Sequence, residues 1–402
     1  MNRPSLLKIT EAFRIIDREI QPAGSRSVGL DQVVGCVLAE DITADSDLPP
    51  FDRSQMDGYA VRSADTANAP VKLKLVGESA AGRGWHKRLR AGEAVRIMTG
   101  AVVPKGADAV QKLEMAAEGS DIVDILQPVR SGSFIVEKGS EIKAGDVVFS
   151  AGRIVTPNMV SSLAAFGRAE TAVASAPKIA IVPTGSEIVP VADKPGRDQI
   201  RDSNSHMLEA FCDAIGCSAK IFPLVGDDLL LLNKTLASAA GSCDILVVTG
   251  GVSVGKYDLT KTALAAIGGQ IIFDRVDLKP GKPTVFAKLG DKPVFGLPGN
   301  PVSAAVTFQL FVRRAVRLLQ SADDIGLRSG FAVCSAPAKA AKDRFTLLPV
   351  SLKTDKKGRL KATPLRWLGS SDLVGFSRAE ALICLAAGRS LKAGDKAAIY
   401  FL

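Results

Sequence analysis

Between Ala176 and Gln320 short apolar runs alternate with helical stretches, and this alternation constrains the fold more than any other feature of the chain. KIAIVPTG, SAKIFPLVGDD and CDILVVTGG are apolar runs of strand length that end in turn residues. SNSHMLEAFCDAIG, LLLLNKTLASAAG and LTKTALAAIGG follow them with helical character. KPTVFAKLG and KPVFGLPGNP supply two more strands, and VSAAVTFQLFVRRAVRLLQ reads as one long amphipathic helix. Strands and helices in this order predict a doubly wound parallel sheet. Such sheets bind ligands beyond the carboxyl ends of their strands, where the Gly-rich segments of this chain fall.

A chain of 402 residues exceeds one ordinary core, so further domains are expected around this block. Residues 46–138 are rich in short strands and turns and read as a small β domain. The pieces 1–45 and 139–175 contain helices such as TPNMVSSLAAFG and are expected to pack as one discontinuous helical unit. In the first piece Phe13, Ile16 and Ile20 recur at helical spacing, with Thr10 placed to cap. The α/β domain is expected over 176–325. A C-terminal β domain follows over 328–402, with KTDKKGRLK as a hydrophilic hairpin tip.

Composition excludes several classes. Aromatics make up 5% of the chain, too few for stacking platforms along single-stranded nucleic acid. The net charge of +9 is spread along the sequence and reads as a solvated basic surface. The six cysteines form no C-x-x-C pair and the only histidines are His86 and His206, which argues for reduced thiols and against structural zinc. No stretch approaches the roughly 20 apolar residues of a membrane span. A soluble, cytoplasmic protein with neither nucleic-acid nor membrane partners is expected.

The segment DILVVTGGVSVGKYD fits part of a P-loop through Gly250, Gly255 and Lys256, but Tyr257 stands where Ser or Thr should hold Mg2+. Backbone amides of Gly250, Gly251 and Ser253 at a strand mouth form a generic anion cradle, and Asp258 beside them could hold a divalent cation. A tight turn with a capping Asp accounts for the segment equally well. In DLKPGKP, Lys279 and Lys282 bracket a stiff Pro-Gly turn, an arrangement suited to phosphate or another oxyanion. In LPGNPVS, Pro298, Gly299 and Asn300 end a strand and open a helix, with Asn300 a natural N-cap. Glu187 of PTGSE projects toward the same sheet edge as a candidate Mg2+ ligand, and Asp202 and Asn204 of RDSNS are cap residues by default. PPFDRSQMDGYAV places Asp52, Asp57 and Tyr59 in a Pro/Gly-bounded loop, and RIMTGAVVPKGADAV sets Thr99 and Gly100 in a turn.

Taken in order, FDRSQMDGYAV, RIMTGAVVPKGADAV, PTGSE, TGGVSVGKYD, LKPGKP and GLPGNPVSA resemble the molybdopterin molybdenumtransferase family, which includes MoeA and the gephyrin E domain. The C-terminal LGSSDLVGFSRAEALICL is similar to the family's last domain. The resemblance implies a central MogA-like α/β domain, a small β domain, a helical dimerisation unit and a C-terminal β-barrel-like domain. It also implies a homodimer whose active site is shared between subunits, and a molybdopterin-adenylating protein as a partner. The implied reaction converts adenylated molybdopterin and molybdate into molybdenum cofactor and AMP, with Mg2+. By the same resemblance Asp57, Thr99, Glu141, Glu187 and Asp258 are catalytic, and Glu187 and Asp258 hold the metal. Asp202, Gly250, Gly251, Ser253, Lys279, Lys282, Pro298, Gly299 and Asn300 bind substrate.

The chain departs from the family pattern at four positions. Val136 and Glu137 stand where basic residues are frequent, Glu141 where an aspartate is usual, and Ser186 where T-G-D-E has an acid. These departures define an alternative reading, a non-catalytic paralogue that binds molybdopterin as a scaffold or carrier. A P-loop ATPase or GTPase built on Gly250 to Lys256 is the reading from another enzyme class.

Overall fold

The computed structural model describes residues 6–251, 259–366 and 368–402. Within it the alternating apolar runs form a six-stranded sheet in the order Ser218–Ile221, Lys178–Pro183, Ile245–Thr249, Lys292–Leu297, Val285–Leu289, Gln270–Phe273. The first four strands run parallel. Successive strand residues face opposite sides. Ile179, Ile181, Ile245, Val247 and Phe295 accordingly enter one core with Leu208 and Phe308. Ala180, Val182, Leu246, Val248 and Val294 enter the other with Leu232, Leu236 and Leu264. A strand covered on both sides must be apolar throughout, which is why these segments show no polar alternation.

The sheet is not parallel across its whole width. Val285–Leu289 and Lys292–Leu297 are antiparallel, with Leu289 opposite Lys292 and only Gly290 and Asp291 between them. Two residues can reverse a chain into a hairpin but cannot carry it back for a parallel pairing. Gly290 takes the φ of 59° that such a turn needs. Gln270–Phe273 then pairs antiparallel with Val285–Leu289 at the sheet edge.

The long helix starts at Pro301 and runs to Leu319 with a π-helical stretch at Phe308–Val312. Against it lies the helix Ile9–Glu19, whose Ala12 and Ile16 are fully buried in the first core. Arg314 clamps Asp17 through Nε and Nη2 at 2.6 and 2.7 Å and covers the Phe13 ring. Thr10 lies inside this helix and Lys8 occupies the cap position, without a side-chain cap bond.

After the long helix, Phe345–Thr354 pairs with both Leu360–Pro364 and Ala381–Leu385. Ser329–Cys334 and Lys396–Phe401 complete the circuit, so five strands close into a barrel around Val350, Ala362, Ile383 and Ile399. Closure removes exposed strand edges. The hydrophilic tip is a hairpin turn in which the Asp355 carboxylate accepts from the amides of Lys357 and Arg359 at 2.9 and 3.0 Å. The barrel grips the α/β domain through a short parallel ladder, Leu278 to Phe345 and Lys279 to Thr346.

All of this belongs to the larger of two compact units, together with residues up to Glu40 and Ala151–Val160. The smaller unit comprises Asp41–Ser150 and Ser161–Ala169. Its six-stranded sheet runs Ala109–Lys112, Gly58–Val61, Glu93–Ile97, Val71–Ser79, Ile122–Ile125, Ala116–Glu118. Gly58 is obligatory there, because a Cβ would sit 1.9 Å from the Gln111 carbonyl oxygen. No helix among the described residues is long and apolar enough to cross a membrane.

Ile16 tests the place of the N-terminal helix. Ile16→Ala should cost about 2–5 kcal/mol of unfolding free energy in a urea titration. A loss under about 1 kcal/mol would mean that the helix does not share the α/β core.

Candidate active site

A cleft of about 510 Å³ opens where the parallel strands end. The strand ends approach closely because Gly250 lacks a side chain. Its φ is 96°, and a Cβ there would fall 2.2 Å from the Thr184 carbonyl oxygen. The Gly250 amide donates to Leu297 O at 3.1 Å and is therefore not free for an anion, which corrects its expected role in the cradle. Its contribution is the absence of bulk. Gly251, with φ 59°, lies on the cleft wall, and a Cβ there would meet the Thr260 hydroxyl at 2.8 Å.

Two carboxylates expected at this edge line the cleft, Glu187 and Asp202. The Asp202 carboxylate accepts from the Ser205 amide at 3.0 Å, so it does cap the helix Asn204–Ala214 while lying 9% exposed against the cleft. Glu187 is exposed and joins no ion pair among the described residues. Its segment is held by Ile188–Val189 pairing parallel with Ile200–Arg201 and by the Ile200 amide donating to Glu187 O at 2.8 Å. Ser186, which departs from the family's acid, accepts from the Asp227 amide at 2.9 Å. Gly226 lies against it, where an added Cβ would come within 3.1 Å of the Ser186 Oγ.

Asn204 is the residue that sequence reasoning missed. Its Nδ2 donates to Thr249 Oγ1 at 3.1 Å and to Gly299 O at 2.8 Å, tying two strand ends together. Its Oδ1 is buried without a partner, an acceptor left on a cleft-lining side chain. The sequence signal was present in RDSNS, where one Asp suffices to cap and leaves the Asn for other work.

Pro298, Gly299 and Asn300 form the opposite wall. Asn300 occupies the N-cap position but makes no capping bond, and its Nδ2 donates instead to Ser370 Oγ at 3.0 Å. The Val302 amide donates to Ser370 O at 3.1 Å, so the barrel's loop is pinned to this wall and its Ser371 lines the cleft. Lys279 and Lys282 are exposed on the adjoining loop, whose Pro283 lines the cleft although neither lysine does. That loop is braced by the Thr284 hydroxyl donating to Gly281 O at 2.6 Å. Ser253 and Asp258, with the remaining P-loop-like residues Gly255 to Tyr257, lie outside the described residues.

In the smaller unit Asp57 and Thr99 meet directly. The Asp57 carboxylate accepts from the Thr99 amide at 2.7 Å and from its hydroxyl at 2.8 Å. These bonds, the amide's first, hold its pKa below the ordinary 3.8, with Arg96 adding a smaller push the same way. Glu141 pairs with Arg53 Nη2 at 3.2 Å, and Val136 lies opposite Arg53 in a two-residue ladder. Tyr59, read from the sequence as a loop residue, is instead a core residue of Gly58–Val61 and 1% exposed. Its hydroxyl donates to Glu118, which also takes Arg96, and burial foremost pushes its pKa up to about 12.

A doubly wound domain with a glycine-lined polar cleft, joined to a closed barrel and accompanied by a β-rich unit, defines a multidomain small-molecule binding protein of the α/β class. Residues 7–167 match the model of the MoeA N-terminal region (domain I and II). Residues 180–318 match that of a probable molybdopterin binding domain, and 332–402 that of the MoeA C-terminal region (domain IV). The molybdopterin molybdenumtransferase of Bacillus subtilis is 33% identical over 397 residues, covering 95% of this chain and 90% of the relative. That of Staphylococcus epidermidis is 32% identical over 394 residues, covering 97% and 94%. The crystal structure of the molybdopterin biosynthesis MoeA protein of Pyrococcus horikoshii superposes with a TM-score of 0.86 at 28% identity, covering 99% of this chain and all of that one. The chain belongs to the molybdopterin molybdenumtransferase family and is a transferase of molybdenum cofactor biosynthesis.

The Asp57 pair carries a pH signature. A depressed carboxyl pKa contributes stability that is present above the unfolded value near 3.8 and is lost as the pH falls through the folded value. Thr99→Val keeps the amide donor and removes the hydroxyl, so the Asp57 carboxyl resonance should titrate at higher pH in an NMR titration. An unmoved titration would show that the hydroxyl does not hold the carboxylate.

Proposed function

We propose that this protein inserts molybdenum from molybdate into adenylated molybdopterin, releasing AMP and molybdenum cofactor in a Mg2+-dependent reaction. The observation that carries this reading is the cleft itself, which gathers Glu187, Asp202, Gly251 and the unsatisfied Asn204 acceptor at the carboxyl ends of parallel strands. An exposed carboxylate with no ion pair among the described residues, beside amide and backbone oxygens, is the hard-oxygen donor set that magnesium takes. Glu187 and Asp258 would hold that ion, which supplies charge neutralisation at the phosphoanhydride when bound.

The remaining work falls to the chain. Lys279 and Lys282 attract the phosphates as mobile positive charges beside the cleft, and Gly250 and Gly251 let the substrate approach the backbone. Pro298, Gly299 and Asn300 form a rigid wall, and Asn204 Oδ1 accepts a hydrogen bond from the substrate's N–H groups. Ser253 adds an amide to the phosphate cradle. Cleavage of an anhydride depends mainly on such positioning and on stabilising developing charge. Asp57, Thr99 and Glu141 act on the cleft of a second copy in a homodimer, where Asp57 presents an ionised carboxylate oriented by Thr99. In this reading the chain divides into the four parts 1–45 with 139–175, 46–138, 176–325 and 328–402, works in the cytoplasm, and receives its substrate from a molybdopterin-adenylating protein.

The experiment is AMP release from adenylated molybdopterin with Mg2+, with and without molybdate, for the wild type and for Asp258→Ala and Glu187→Ala. Molybdate-dependent release should fall at least about a hundredfold in each variant. Tight binding with no release from the wild type would instead identify a carrier, and restoring Arg at positions 136 and 137 with Asp at 141 would then test which departure is responsible.

A further inference from the structure

A second cavity, of about 520 Å³, shares no lining residue with the cleft. It lies between the segment holding Arg26 and Gln32, the end of the helix Asn204–Ala214, and the side chains of Arg317 and Gln320. Arg317 is 5% exposed. It makes one side-chain hydrogen bond, from Nη1 to Gln320 Oε1 at 2.9 Å, and its buried Nε has no partner. Its helix neighbour Arg314 takes Asp17, whereas Arg317 joins no ion pair among the described residues.

The surrounding charges do not replace the missing partner. Arg313, one turn earlier, has the same sign and an unpartnered buried Nε of its own. Asp324 acts on Arg317 only through space, and Asp213 is an exposed residue on the cavity lining. The Cys217 thiol nearby is pushed up to about 12 by burial and stays neutral. Burial, then Arg313, pull the Arg317 pKa below its ordinary value, yet a guanidinium does not give up its proton in proteins. A buried cation without a counterion is strongly disfavoured. An arginine fork matches the paired oxygens of an oxyanion, and the cavity far exceeds the roughly 30 Å³ share of one water.

We propose that this cavity binds a tetrahedral oxyanion, held by the Arg317 guanidinium with Arg26 at the mouth and the amides of Gln32 and Gln320 beside it. The site is independent of the chemistry of the cleft, and the test separates the two. The full chain carrying Lys279→Ala and Lys282→Ala, which weaken anion capture at the cleft, is titrated calorimetrically with inorganic phosphate and, separately, with molybdate. One binding event should persist in this background and weaken at least about tenfold on adding Arg317→Met. That substitution removes an unpaired buried charge, so the unfolding midpoint without anion should hold or rise. Arg26→Ala, at an exposed position, should weaken the same event with the cavity intact. The anion that binds more tightly names the source, phosphate or the metal oxyanion. No residual binding, or binding unchanged by Arg317→Met, would overturn the proposal.

Discussion

The strand ends of the α/β domain converge on a point where no side chain fits. The Thr184 carbonyl occupies the space that a Cβ on Gly250 would need, and the Gly250 amide closes onto Leu297 across the next strand. Because three adjacent strands meet in this way, the residues that leave them are presented around one opening rather than scattered along an edge. Glu187 follows the first strand, Gly251 the second, and Pro298 to Asn300 the third. Asn204 then locks the arrangement by bonding the second and third strand ends at once. The positions of Gly251 and of Pro298 to Asn300 depend on this close approach.

The two carboxylate clusters are prepared differently. In the cleft, Glu187 has no ion pair among the described residues and Asn204 Oδ1 has no donor among them, a state suited to groups whose partners arrive with a ligand. In the smaller unit, Asp57 is already satisfied by two donors from Thr99 and is held ionised. Glu141, read from the sequence as standing where an aspartate is usual, reaches Arg53 with its carboxylate. The substitution therefore falls on a side chain with a partner of its own.

Much of the fold was legible because burial on both sheet faces leaves unbroken apolar runs, and KIAIVP and ILVVT became strands where those runs lie. The hairpin at Gly290 was legible only in part, since both segments read as strands while their relative direction depends on the length of the turn. Site residues whose partners are near in sequence, such as Asp202 with Ser205, matched their local reading. Those whose partners are remote did not. Tyr59 finds Glu118 and Asn300 finds Ser370, far along the chain in each case, so local chemistry suggested a loop for one and a cap for the other. The Gly250 amide escaped for the same reason, its acceptor being Leu297.

The pinning of Ser370 to the start of the long helix makes the barrel a load path. The barrel meets the α/β domain at the ladder at Lys279 and at the Asn300–Ser370 bond, and the second of these lies on the cleft wall. Leu347, Phe376 and Leu382 of the C-terminal region already pack into the α/β core, so a molecule seated between Asn300 and Ser371 would add its binding energy to a seam that both domains share. Occupancy should therefore stabilise both domains together, because neither can leave the seam without releasing the molecule.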